Sequence, residues 1–176
     1  MSRFPHELSR GMKQRVVIAM SLACQPDVVI ADEPTTALDV IVQDRILKQL
    51  SRIQKDFNMA MIYICHDIAV IAEVCTDIGV MYAGKMVEMA GTRDLFENPK
   101  HPYTAALLSS SLSVRGERQE MTILPGEPPD LLDPPTGCSF HPRCEFATDQ
   151  CRETVPEWEA HGEGHGAACW HPLVNA

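Results

Sequence analysis

The 176-residue chain reads as an α/β protein followed by a small, irregular cysteine-rich extension, and three observations predict this. Two short apolar runs, Val28-Val29-Ile30-Ala31 and Met59 to Cys65, each stop at polar residues, as strands buried on both faces of a parallel sheet do. Stretches of helical apolar spacing flank them, which is the alternation that gives helix-on-sheet layers. Beyond residue 112 the composition changes: eight of the 13 prolines lie there, together with four of the seven cysteines.

The elements follow in order. Glu7 to Cys24 has its apolar positions, Val16, Val17, Met20 and Leu22, at helical spacing, and Pro26 closes it. After the first strand, Asp39 is placed to N-cap a helix running to about Phe57, with Ile46, Leu47, Leu50 and Ile53 on one face. The Met59–Cys65 strand leads to His66-Asp67 and a short helix to Val74. Ile78–Tyr82 and Lys85–Met89, separated by Ala83-Gly84, predict a tight hairpin. Short helices are expected at Thr92–Glu97 and Pro102–Leu112, and LPGEPPDLLDPP then reads as an extended connector. The expected division is therefore residues 1–112 and 113–176.

Bulk properties narrow the function. A net charge of −9 counts against nucleic-acid binding, which rests on clustered Lys and Arg. No apolar run approaches the ~18 residues a membrane-spanning helix needs, and the first residues lack a signal-peptide pattern. The expectation is a cytoplasmic protein whose membrane link comes through a partner. Cys24, Cys65 and Cys75 lie in apolar stretches and read as small buried hydrophobes. Trp158 and Trp170 are expected to pack the tail, and Glu153, Glu157, Glu159 and Glu163 to be solvated.

Chemistry concentrates at the strand ends. A buried strand ending in Asp32-Glu33 delivers acids to the edge where open α/β sheets place their sites, although two acids at a strand end are common in isolation. Upstream stands Leu8-Ser9-Arg10-Gly11-Met12-Lys13-Gln14-Arg15; downstream come Thr36-Ala37-Leu38-Asp39 and His66. In this order the segments resemble the signature sequence, Walker B, D-loop and switch histidine of ABC ATPases. That resemblance implies the C-terminal half of an ABC-type P-loop ATPase domain that uses ATP and Mg²⁺. It implies that Asp32 holds the Mg²⁺, that Glu33 orients or deprotonates the attacking water, and that His66 contacts the γ-phosphate. Ser9, Gly11 and Gln14 belong to the signature segment, whose helix start would meet the phosphate of an ATP held by a second ATPase subunit, with Asp39 at the seam. Arg10 replaces the family's usual glycine; its Cβ restricts close approach, while its guanidinium offers a phosphate contact. The phosphate-cradling pattern G-x-x-x-x-G-K-[ST] occurs nowhere in the chain, so a missing N-terminal half is expected to supply it.

Two further segments narrow the family. His101-Pro102-Tyr103-Thr104 with Leu107-Leu108, and Pro125-Gly126-Glu127-Pro128-Pro129 followed by Gly137 to Cys144, resemble the ATP-binding subunits of peptide/nickel ABC importers. The resemblance implies two permease subunits and a periplasmic or extracellular solute-binding protein as partners, at the cytoplasmic face of the membrane. Cys138, Cys144, Cys151 and Cys169 are spaced C-x5-C-x6-C-x17-C, unlike the paired knuckles of a zinc ribbon. Four thiolates at looser spacing suit a [4Fe–4S] cluster, and some members of the resembled family carry one in this extension. Zn²⁺ is the alternative, with His141, His165 or His171 replacing a thiolate. Three functional readings stand side by side: a motor subunit for di- or oligopeptide uptake, a DNA-repair-type ABC ATPase, and a non-catalytic module that binds a metal cluster. The acidic balance and the HPYT segment count against the second; the absent phosphate loop favours the third for this chain in isolation.

Overall fold

The computed structural model describes residues 4–36, 38–111 and 124–174, and the chain divides into two units, residues 1–74 and 75–176. The expected boundary at 112/113 lies outside the described residues.

In the first unit a 3₁₀ turn, Pro5–Glu7, precedes α1 (Arg10–Leu22), which is shorter than the expected Glu7–Cys24 span. Ser9 sets the start of α1: its backbone is extended and its Oγ accepts from the Met12 N–H (3.3 Å). β1 (Val28–Asp32) and β2 (Ala60–Ile64) pair in parallel, from Val28 opposite Ala60 to Asp32 opposite Ile64. α2 (Val40–Phe57) connects them. Asp39 caps it through the Val42 N–H (2.9 Å), and Asn58 ends it in the left-handed region at φ 48°. α3 (Ile68–Val74) follows, held at its start by the Asp67 carboxylate.

Ile18, Ile46 and Leu50 form the buried centre of this unit, with Met61 and Tyr63 of β2 packed against them. The strands are not covered on both faces as expected. Val28, Ile30, Ile62 and Ile64 are 50 %, 64 %, 52 % and 51 % exposed, so the sheet has one helix-covered face and one bare apolar face. Continuous apolar runs in sequence report two faces that can be buried; among the described residues only one has its cover. Val16, Val17 and Met20 of α1 are likewise exposed, as is Cys24; Cys65 and Cys75 are half-buried.

In the second unit β3 (Asp77–Tyr82) and β4 (Lys85–Gly91) form the expected hairpin. Ala83 and Gly84 both take positive φ, 48° and 75°, the backbone that a two-residue turn matched to strand twist requires. α4 (Thr92–Glu97) packs on both strands, and α5 (Pro102–Ser111) follows. The tail is not the irregular appendage its composition suggests. After a 3₁₀ turn, His141–Arg143, and α6 (Asp149–Glu153), it forms β5 (Glu159–Gly162) and β6 (His165–Ala167). These extend the hairpin into an antiparallel sheet of order β3-β4-β6-β5. Phe140 of the tail is buried in the core with Val80, Tyr82, Val87, Ala90 and Leu95. Its ring lies 5.1 Å from that of Tyr82 and 5.4 Å from that of Tyr103.

Glu88 of β4 is wholly buried. Its carboxylate accepts from the Lys100 N–H (2.6 Å), the His101 N–H (2.8 Å) and His165 Nε2 (2.8 Å). A buried acid is tolerable only when its lone pairs are satisfied, and here the partners come from the loop before α5 and from β6. Replacing Glu88 by Ala leaves those donors unmet inside the core. We expect Glu88→Ala to lower stability by about 3–5 kcal/mol, whereas breaking the exposed Arg93–Glu97 pair with Arg93→Ala leaves it nearly unchanged. Urea unfolding of the two variants is the check; equal losses would contradict the role given to Glu88.

Candidate functional site

The parallel register of β1 and β2 brings the residues after each strand to one end of the pair. The Glu33 N–H donates to Ile64 O (2.8 Å), which pins the turn after β1 to the last residue of β2. Glu33 itself sits at φ 46°, a backbone region that non-glycine residues enter rarely and that recurs at functional sites. From there its side chain reaches His66: Oε1 lies 2.7 Å from Nδ1. Its other oxygen accepts from the Thr36 hydroxyl. The Thr36 bond first, then His66, holds the Glu33 carboxyl below its ordinary range, and Glu33 in turn raises the His66 imidazole. Both groups are open to solvent, so a carboxylate and an imidazole that keeps its proton more readily stand together at an accessible strand end. Asp32, the last residue of β1, is exposed beside them in sequence.

Ser9, Arg10, Gly11 and Asp39 line an open pocket of about 310 Å³ with Met12, Arg15, Leu38 and Val42. The helix start of α1 and the cap of α2 thus meet, because Val42 sits against Gly11; a Cβ on Gly11 would come 3.1 Å from the Val42 side chain. Gln14 is half-buried and does not line the pocket. Arg10 is the first residue of α1 and takes no positive φ, so its Cβ meets no backbone penalty there.

In the second unit Cys138, Cys144, Cys151 and Cys169 line one small pocket, together with His101, Phe140, His141, Phe146, Trp170 and His171. Gly137 makes this possible. It takes φ +66°, and a Cβ there would overlap the Cys151 carbonyl, to which the Cys138 N–H donates (2.8 Å). Burial pushes the Cys138 and Cys144 thiols up and Cys169 to about 12. Backbone N–H groups of Phe140 and His141 act against this at Cys138, and that of Phe146 at Cys144. The His171 N–H points at Cys169 Sγ (3.4 Å).

As the side chains stand, no group of three or more His, Cys, Asp or Glu among the described residues could hold a metal ion. By residue type the lining suits a larger sulfur-ligated group: four sulfurs surround one space, and amides are directed at three of them. Of the histidines read as substitute ligands, His141 and His171 line this pocket, but His165 does not; it is engaged by Glu88. Sequence reading missed two residues. Glu88, an acid inside the apolar strand KMVEMAG, was itself the signal of a buried partner. His101 lines the same pocket, is 1 % exposed, and burial pushes its imidazole down to about 4.

Residues 1–36 match the family "ABC transporter", and residues 87–151 match "Oligopeptide/dipeptide transporter, C-terminal region". The chain is 47 % identical over 173 residues to the oligopeptide transport ATP-binding protein OppD of Salmonella typhimurium, covering 98 % of this chain and 51 % of that protein. It is 45 % identical over 173 residues to the dipeptide transport ATP-binding protein DppD of Escherichia coli, covering 98 % and 53 %. The chain therefore spans about half the length of the curated relatives it matches. Among solved structures it resembles cbiO1 of Clostridium perfringens, part of the ABC transporter complex cbiONQ, with 36 % identity and a TM-score of 0.50 over 52 % of this chain and 37 % of that one. Over nearly its whole length the chain is therefore similar to ATP-binding proteins of oligopeptide and dipeptide transport, and two of its segments match ABC transporter families.

Proposed function

We propose that this chain is part of an ATP-hydrolysing subunit that powers import of di- or oligopeptides, with residues 1–112 serving nucleotide chemistry and 113–176 forming the importer-specific extension. The observation that carries the reading is the Glu33–His66 contact at the shared end of two parallel strands. In the reaction Glu33 accepts a proton from, or orients, the water that attacks the terminal phosphate, and His66 steadies that phosphate. Asp32 holds Mg²⁺. Ser9 and Gly11, at the start of α1, meet the phosphates of ATP held by a second ATPase subunit; Gln14 supports that helix and Asp39 lies at the seam. The phosphate loop with its lysine is supplied by a segment this sequence does not contain. The assembled protein sits at the cytoplasmic face of the membrane on two permease subunits, fed by a solute-binding protein. No helix among the described residues is long and apolar enough to cross a membrane.

The four-cysteine pocket supports a second element of the reading: a [4Fe–4S] cluster held by Cys138, Cys144, Cys151 and Cys169, with Zn²⁺ as the alternative. Bound there, the group ties three separate segments of the tail together and so serves structure. A non-catalytic, metal-binding role for this chain by itself is favoured by one fact, the absence of G-x-x-x-x-G-K-[ST] from its residues.

Three measurements test these assignments. In the full-length subunit, Glu33→Gln should cut ATP hydrolysis by about 10²–10⁴-fold while ATP binding persists; undiminished turnover removes Glu33 from the chemistry. By NMR, the His66 ring should titrate above the ordinary imidazole range and return toward it in Glu33→Gln. The sign follows from the pair: the charged contact weakens as pH rises through the raised His66 value, and again as pH falls through the lowered Glu33 value. An His66 titration that ignores Glu33→Gln speaks against the contact. Finally, anaerobically purified protein should contain iron and acid-labile sulfide in equal amounts, and zinc in their place selects the alternative.

A further inference from the structure

His101 stands at the N-terminus of α5 with both of its roles visible in its hydrogen bonds. Its carbonyl accepts from the Ala105 N–H (3.1 Å), and its ring Nδ1 accepts from the Tyr103 N–H (3.0 Å). A nitrogen that accepts from an amide carries its lone pair outward, so the ring proton belongs to Nε2. That Nε2 is buried and has no partner. Buried donors without an acceptor are rare and call for an explanation.

The ring lines the cysteine pocket. Its side-chain neighbours there are poor in acceptors: Pro102, Phe140 and Phe146 are apolar, and the Trp170 indole N–H already donates to Thr154 O (3.0 Å). Each of the two other imidazoles has one nitrogen engaged, His141 Nδ1 with Cys138 O (3.0 Å) and His171 Nε2 with the Thr148 hydroxyl (2.9 Å). The four cysteine sulfurs are the commonest acceptors in the lining, and none of them bonds Nε2 as the side chains stand. The tautomer also decides which role is open to His101: a protonated Nε2 donates and does not ligate.

We infer that His101 is the hydrogen-bond donor of the cysteine site, its Nε2–H directed at a sulfur of the iron–sulfur group those four cysteines hold. This rests on the iron–sulfur reading above. His101 is a positioning and tuning residue, not a ligand. Glu88 sets it in place, because its carboxylate takes the His101 and Lys100 amides and, through His165, also fixes β6, the strand that leads into Cys169. One buried acid thus holds both the donor and the strand that leads to Cys169.

Hydrogen bonds to cluster sulfurs favour the reduced, more negative state and so raise the reduction potential. The test uses the anaerobically purified full-length subunit, with iron, sulfide and zinc assayed and the midpoint potential read by EPR-monitored titration. His101→Asn keeps an oxygen for the Tyr103 N–H but removes the donor at Nε2. Iron content should match the wild type, and at the wild-type midpoint the reduced-to-oxidised ratio should fall about tenfold, a shift of about 59 mV for one electron. His101→Gln, whose amide reaches further, should recover part of that shift. Unchanged potentials in both iron-loaded variants overturn the inference, and so does loss of iron from His101→Asn, which would make His101 a ligand or a structural requirement. A wild-type protein without iron overturns the iron–sulfur reading itself, and this inference with it. Should His101→Asn not fold, wild-type protein labelled with ¹⁵N-histidine decides: a weak nitrogen coupling in the pulsed EPR of the reduced state supports the donor, and its absence refutes it.

Discussion

The second unit is organised around one carboxylate with no access to water. The Glu88 oxygens need donors in that core, and the donors come from parts of the chain 12, 13 and 77 residues away. Satisfying one buried group therefore fixes the start of α5 and the entry into β6, the elements that bring His101 and Cys169 to the cysteine pocket. Loop closure over such separations costs little more than over short ones, whereas an unmet buried charge costs several kcal/mol. That asymmetry explains how a proline-rich tail, poor in apolar residues, joins the hairpin as an ordered layer. Phe140 adds the apolar part of the same join, filling the space between Tyr82 and Tyr103.

The first unit works by a different constraint, strand register. With β1 and β2 parallel and aligned residue for residue, the acid after one strand and the imidazole after the other have nowhere to go but the same edge. The left-handed backbone at Glu33 and the Thr36 hydroxyl then turn the carboxylate toward His66. The two units thus carry acid–histidine pairs of opposite character. Glu33–His66 is accessible and its charges answer to solvent; Glu88–His165 is sealed and serves architecture.

Much of this was legible in the residues. Strand ends, the Asp39 cap and the Ala83-Gly84 turn follow local rules, and local rules are written locally. The strands' second face was misread because apolarity states what a residue can bury, not what is present to bury it. Cys24 was misread for the same reason. The tail strands escaped notice because His165-Gly166-Ala167 is three residues long and owes its place to β4, not to its own propensity. The four cysteines declared themselves by type and spacing, but the residues that shape their pocket did not. Gly137 acts through a backbone angle, His101 through the nitrogen it has left over, and Glu88 through burial, none of which a linear pattern displays.

Gly166 has a consequence for how this protein can be observed. A Cβ there would come within 2.5 Å of the Trp158 indole, so the strand passes flush beneath that ring, and Trp170 reaches across to Thr154 from the same tail. The chain has two tryptophans, and both report from this one region. Its intrinsic emission is therefore a local gauge: a fluorescence melt would follow the tail and its pocket while remaining blind to the strand pair that carries Glu33 and His66.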